Sequence, residues 1–110
     1  MQFKIEDKEG VRICAAEDDI DINSSPLFKK AFDRVIKEKS QKVLINLEKV
    51  EYVDSSGLAT LVEMLKNVKA YGGKLKLSNL SHKVRSLFEI TKLEKLFDIV
   101  DTQSNALKNF

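Results

Sequence analysis

The sequence predicts an α/β fold: a sheet with mixed edges, carrying packed helices. Three observations predict it. Alternating stretches at 2–6 and 11–15 flank a turn, and the branched apolar run Val43-Leu44-Ile45-Asn46-Leu47 has the composition of a strand covered on both faces. Between and after these, apolar residues recur at helical spacing, and strands alternating with helices give sheets with parallel pairs. At 110 residues and 43% hydrophobic content, the chain has room for one domain, 1–110, around one core.

The elements follow in order. Phe3 and Ile5 alternate with Gln2, Lys4 and Glu6, Glu9-Gly10 supplies a turn, and Val11, Ile13 and Ala15 resume the alternation, which is a β-hairpin pattern. Ser25-Pro26 is a helix start, because proline in the first turn loses no hydrogen bond and Asn23, Ser24 and Ser25 are all able to cap. Leu27, Phe28, Ala31, Phe32, Val35 and Ile36 then give a helical stripe to about Lys39. After the central strand and Tyr52-Val53 comes the polar turn Asp54-Ser55-Ser56-Gly57. Leu58, Leu61, Val62, Leu65 and Val68 form the next stripe, closed by Gly72-Gly73, which suit a left-handed C-terminal cap. Lys74 to Ser78 alternates as a strand, and Ser81 caps a third helix that turns Val84, Leu87 and Phe88 inward. Leu93, Leu96, Phe97, Ile99 and Val100 supply a turn and a short strand, and a short helix is expected from Thr102.

Composition excludes several classes. Nineteen basic against seventeen acidic residues leave a formal charge of +2, too balanced for an electrostatic nucleic-acid or membrane binder. No stretch approaches the roughly 20 apolar residues of a membrane span, and Met1-Gln2-Phe3-Lys4 has no signal-peptide pattern, so a cytoplasmic protein is expected. The single Cys14, inside an alternating strand, reads as structural filler. Lysines 29, 30, 37, 39 and 42 with Arg34 are interrupted by Asp33 and Glu38 and read as a solvated helix face.

Chemistry concentrates in Asp54-Ser55-Ser56-Gly57, where a strand hands over to a helix. Helix capping alone accounts for these residue types. A functional reading adds an exposed hydroxyl beside free helix amides, whose dipole favours an added phosphate. Such a charge of about −1.5 to −2, roughly 8 Å from one acidic partner group at a dielectric near 20, is unfavourable by on the order of 2 to 4 kcal/mol before screening. That weakens binding roughly 30- to 1,000-fold. A hydrolase needs a base and a strained elbow such as G-x-S-x-G. The sequence lacks the elbow, and its one histidine, His82, begins the third helix. The acidic stretch 17–24 lacks the glycine and terminal glutamate of a calcium loop, and no metal site is expected.

The run from Val43 to Leu58, a strand followed by Asp54-Ser55-Ser56-Gly57-Leu58, resembles the signature of the STAS family and specifically its stand-alone anti-sigma factor antagonists. Asp21, Asn23 and Ser24 before the first helix, Gly72-Gly73-Lys74, and Val84 to Phe88 with Leu96-Phe97 extend the match over nearly the whole chain. The resemblance implies a four- to five-stranded mixed sheet with helices mainly on one side, and a non-enzymatic binding module. Its partners would be an anti-sigma factor with serine kinase activity, which brings its own ATP and magnesium, and a PP2C-type phosphatase. The chain itself would need no cofactor, and would be a monomer or weak dimer.

By motif position the resemblance makes Ser55 the phosphate acceptor, with the unphosphorylated form binding the anti-sigma factor and releasing the sigma factor. Asp21, Asn23, Ser24, Asp54, Ser56, Gly57, Leu58 and Leu61 would form the partner surface, joined by Leu80-Ser81, with Ser56 as cap and spacer. Asp18 departs from the family's usual glycine, which puts the tight turn there in question. An alternative is a STAS subunit of a signalling scaffold or lipid-transport complex in which Ser55 is never phosphorylated.

Overall fold

The computed structural model describes residues 3–110, so the reading of Gln2 lies outside the described residues. Strand β1 (Phe3–Lys8) pairs antiparallel with β2 (Val11–Ala16), in register from Phe3 opposite Ala16 to Lys8 opposite Val11. Glu9 and Gly10 both have positive φ, the two-residue turn whose twist matches that of the strands it joins. Phe3 stacks on Phe28 with ring centroids 4.0 Å apart, so the hairpin face predicted to be apolar meets the first helix.

That helix, α1 (Ser25–Lys37), stops two residues short of the expected Lys39, because Lys39 itself is left-handed at φ 50°. Strand β3 (Lys42–Asn46) follows, then α2 (Ser55–Ala70), β4 (Lys74–Ser78), α3 (His82–Ile90), a 3₁₀ turn at Leu93–Lys95, β5 (Asp98–Val100) and α4 (Gln103–Lys108). Helix α2 ends as its glycines predict. Gly72 sits at φ 85°, its amide donating to the Lys69 carbonyl while the Gly73 amide donates to that of Val68. Ser81 and Thr102 accept from the amides of Val84 and Asn105 and cap α3 and α4.

The sheet order is β1-β2-β3-β4-β5, and β2 to β5 are mutually parallel. Three successive crossovers advance across the sheet in one direction, and the right-handed rule puts α1, α2 and α3 on the same face. Phe28, Phe32, Leu61, Leu65, Val68, Val84 and Phe88 pack there against Val43, Ile45, Leu75 and Leu77. Val43, Leu44 and Ile45 have 0% exposure, so β3 is covered on both sides as its apolar run predicts.

The second face is covered by α4. Ala106, with Leu107 and Phe110, closes over Val11, Ile13 and Leu44. Lys76 is buried beneath it, donating to the Asn109 carbonyl at 2.6 Å, paired with Asp98 at 3.3 Å and 5.2 Å from the Phe110 ring centre. Cys14 lies in the main core, and desolvation pushes its thiol up to about 12, which fits structural filler. No helix among the described residues is long and apolar enough to cross a membrane.

Candidate functional site

Parallel strands end at a common pole, and the loops that leave it are where a fold of this kind presents chemistry. Residues 17–24 connect β2 to α1, 47–54 connect β3 to α2, and 79–81 and 101–102 follow β4 and β5. These loops carry eight carboxylates (Glu17, Asp18, Asp19, Asp21, Glu48, Glu51, Asp54 and Asp101) against one lysine, Lys49. The near-neutral total thus hides an acidic pole.

Aspartate side chains build this pole by accepting from main-chain amides. Asp54 is the N-cap of α2; its Oδ1 accepts from the Gly57 amide at 2.8 Å and its Oδ2 from the Ile22 amide at 2.9 Å. Asp21 Oδ1 accepts from the Asn23 and Ser24 amides at 2.9 and 3.0 Å, and Asp19 Oδ1 accepts from those of Glu51 and Tyr52 at 3.0 and 3.1 Å. Asp19 and Asp54 therefore tie two loops together, and the Ile20 amide donating to the Tyr52 carbonyl adds a single parallel bridge between Ile20 and Val53. Among the described residues no group of three or more potential ligands is placed to hold a metal.

Ser55 is the first residue of α2 and its side chain is exposed. The Asp54 side chain takes the Gly57 amide and the Asp54 carbonyl takes that of Leu58, which leaves the Ser55 and Ser56 amides as donors without a partner among the described residues. An anion on the Ser55 hydroxyl would meet those amides and the positive end of a sixteen-residue helix. His82 is exposed at the start of α3, and no hydrogen bond joins it to Ser55.

The other predicted site residues divide. Asn23 is exposed, and Asp21, Ser24, Asp54, Ser56 and Leu58 are half-buried at the pole. Two are misassigned as contact residues. Leu61 has 0% exposure, because one turn beyond the pole the apolar stripe of α2 already faces the sheet. Gly57 is buried too: a β-carbon on it would stand 2.2 Å from the Ile20 carbonyl oxygen and 2.8 Å from Val53 Cγ1. Its job is to let α2 meet the 17–24 loop.

Capping roles also shift. The cap of α2 is Asp54 and not Ser56, whose carbonyl accepts from Thr60 Oγ1. Ser24 occupies the N-cap position of α1 without capping it; its hydroxyl donates to the Asp19 carbonyl and accepts from the Asp21 amide. Asp18 has no positive φ and its carboxylate accepts from the Asp19 amide, so the turn in question forms without a left-handed residue. Asp19 is the site residue that sequence reasoning missed. Its only signal was a place in an acidic stretch, and the amides that donate to it lie 32 and 33 residues away.

The STAS domain model matches residues 2–106. The chain belongs to the STAS family. This STAS domain is 40% identical over 81 residues to the anti-sigma-B factor antagonist of Bacillus subtilis, covering 74% of this chain and 73% of that protein. It is 35% identical over 101 residues to a Thermotoga neapolitana protein provisionally named an anti-sigma factor antagonist, covering 91% and 89%. Among solved structures, TM1081 of Thermotoga maritima, named in the same provisional way, superposes with a TM-score of 0.91 at 30% identity, over 96% of this chain and 92% of that one. The five-stranded mixed sheet with four helices is thus the STAS architecture.

Proposed function

We propose that this STAS domain is a cytoplasmic anti-sigma factor antagonist whose docking is switched by a phosphate on Ser55. The unphosphorylated protein binds an anti-sigma factor and releases the sigma factor that it held. The anti-sigma factor is also the serine kinase, supplying ATP and magnesium, and a PP2C-type phosphatase resets the switch. The chain performs no catalysis of its own.

One observation carries this reading: the Ser55 hydroxyl is exposed at the mouth of a helix whose first two amides have no partner among the described residues, while Asp54, its neighbour, is fully engaged with Gly57 and Ile22. A kinase is thus offered a hydroxyl whose modification breaks no bond of the fold, and the added charge repels an acidic group of the docked surface at close range. The names of the Bacillus and Thermotoga relatives support the antagonist assignment.

The test is transfer of one phosphate from ATP by an anti-sigma kinase, mapped by peptide mass spectrometry. Label on Ser55 that vanishes in Ser55→Ala supports the reading. Label on Ser56 alone, or undiminished labelling of Ser55→Ala, contradicts it.

A further inference from the structure

Beside Ser55, the chain that leads into it forms one wall of a second feature. Tyr52 and Val53 face Val84, Leu87 and Ile90 of α3 across a groove of roughly 210 Å³, with Glu51 and Lys83 at its rim. Its floor is core, since Val53 and Val84 are 4% and 1% exposed. Its edges are not: Tyr52 is 49% and Ile90 78% exposed, although both are large apolar side chains. Exposed apolar groups gathered at one indentation mark a contact surface more than they do a monomer's ordinary surface.

Size and charge decide the occupant. The groove falls below the 300 to 1,000 Å³ typical of small-molecule pockets but matches one large apolar side chain, the way hot-spot anchors seat in a partner. The loops at this pole have eight carboxylates and one lysine, and the α3 wall adds Lys83 and Arg85 against Glu89, so the surroundings stay acidic, disfavour an acidic visitor and attract a basic one. We propose that this groove takes an apolar anchor side chain from a basic amphipathic helix of the protein that docks over Ser55.

Because Tyr52 and Val53, which line the groove, lie three and two residues before Ser55, this occupant rests on the docking proposed above. The two effects act at different ranges. Attraction summed over the whole pole speeds encounter, whereas a phosphate on Ser55 faces an acidic group of the docked protein within the closed contact and shortens its lifetime.

The experiment is an NMR titration of the full chain with synthetic eighteen-residue peptides. One has leucines on one helical face and lysines on the other; a second is a scramble of the same composition; a third replaces lysine by glutamate. The lysine amphipathic peptide should shift the amide signals of Tyr52, Leu87 and Ile90 and bind at least tenfold tighter than either of the others. Ile90→Ser, at an exposed position that spares the fold, should weaken it at least fivefold. Equal binding of the scramble or of the glutamate peptide, shifts centred elsewhere, or indifference to Ile90→Ser would each overturn the assignment. Phosphate mapping on Ser55 stands apart: a groove that binds the peptide in a protein never labelled at Ser55 keeps the groove and removes the switch, and the converse removes only the groove.

Discussion

Gly57 and the Ile20 carbonyl are in direct main-chain contact, with only 2.2 Å between that oxygen and the place where a β-carbon of residue 57 would be. Backbone cannot swing aside as a side chain can, so any other residue must push the 17–24 loop off the start of α2. Gly57→Ala should destabilise the protein by about 1 to 3 kcal/mol, the usual range for overpacking. Urea denaturation read by circular dichroism checks this, and an unchanged midpoint would mean the contact is slack.

Asp54 should matter through both of its oxygens. Asp54→Asn keeps the shape but leaves one acceptor facing two amides, that of Gly57 and that of Ile22. A loss of about 1 to 2 kcal/mol is expected, with faster hydrogen exchange at the Ile22 amide. Exchange at Ile22 no faster than in the parent would show that the two loops are held by other bonds.

How much of this was legible in the sequence depends on the range of the force responsible. The hairpin, the buried β3 run and the Gly72 cap are set by periodicity and turn chemistry within a few residues, and all can be read directly. Leu61 and Gly57 could not be placed by local pattern. Both sit in a motif that reads as a surface, and only the angle at which α2 leaves β3 decides that one faces the sheet and the other a neighbouring loop. Asp19 was hidden for the same reason, because its amide partners belong to another loop. The acidic pole was hidden by summation, since a total of +2 says nothing of where the charges lie.

Cys14 gives the fold a pH signature. Its folded thiol is held well above the ordinary 9.0, at about 12, by desolvation, so the native state keeps a proton that the unfolded chain releases. The stability this represents is complete below pH 9 and is lost as pH rises through the interval up to about 12. There the slope from this one group approaches about 1.4 kcal/mol per pH unit. Cys14→Ala should show a shallower alkaline loss of stability than the parent, and a thiol reagent should leave the native parent unmodified near neutral pH. Rapid modification of the folded protein would contradict the burial.

The central claim is that charge on Ser55 decides whether a partner docks. Its most direct measurement is the affinity of Ser55→Ala and Ser55→Asp for an anti-sigma kinase, by calorimetry at one salt concentration. Ser55→Ala should bind like the unphosphorylated parent even after incubation with ATP. Ser55→Asp, with a single charge in place of a phosphate, should bind at least roughly tenfold more weakly, the lower edge of what such a charge does at close range. Equal affinity of the two variants would contradict the switch.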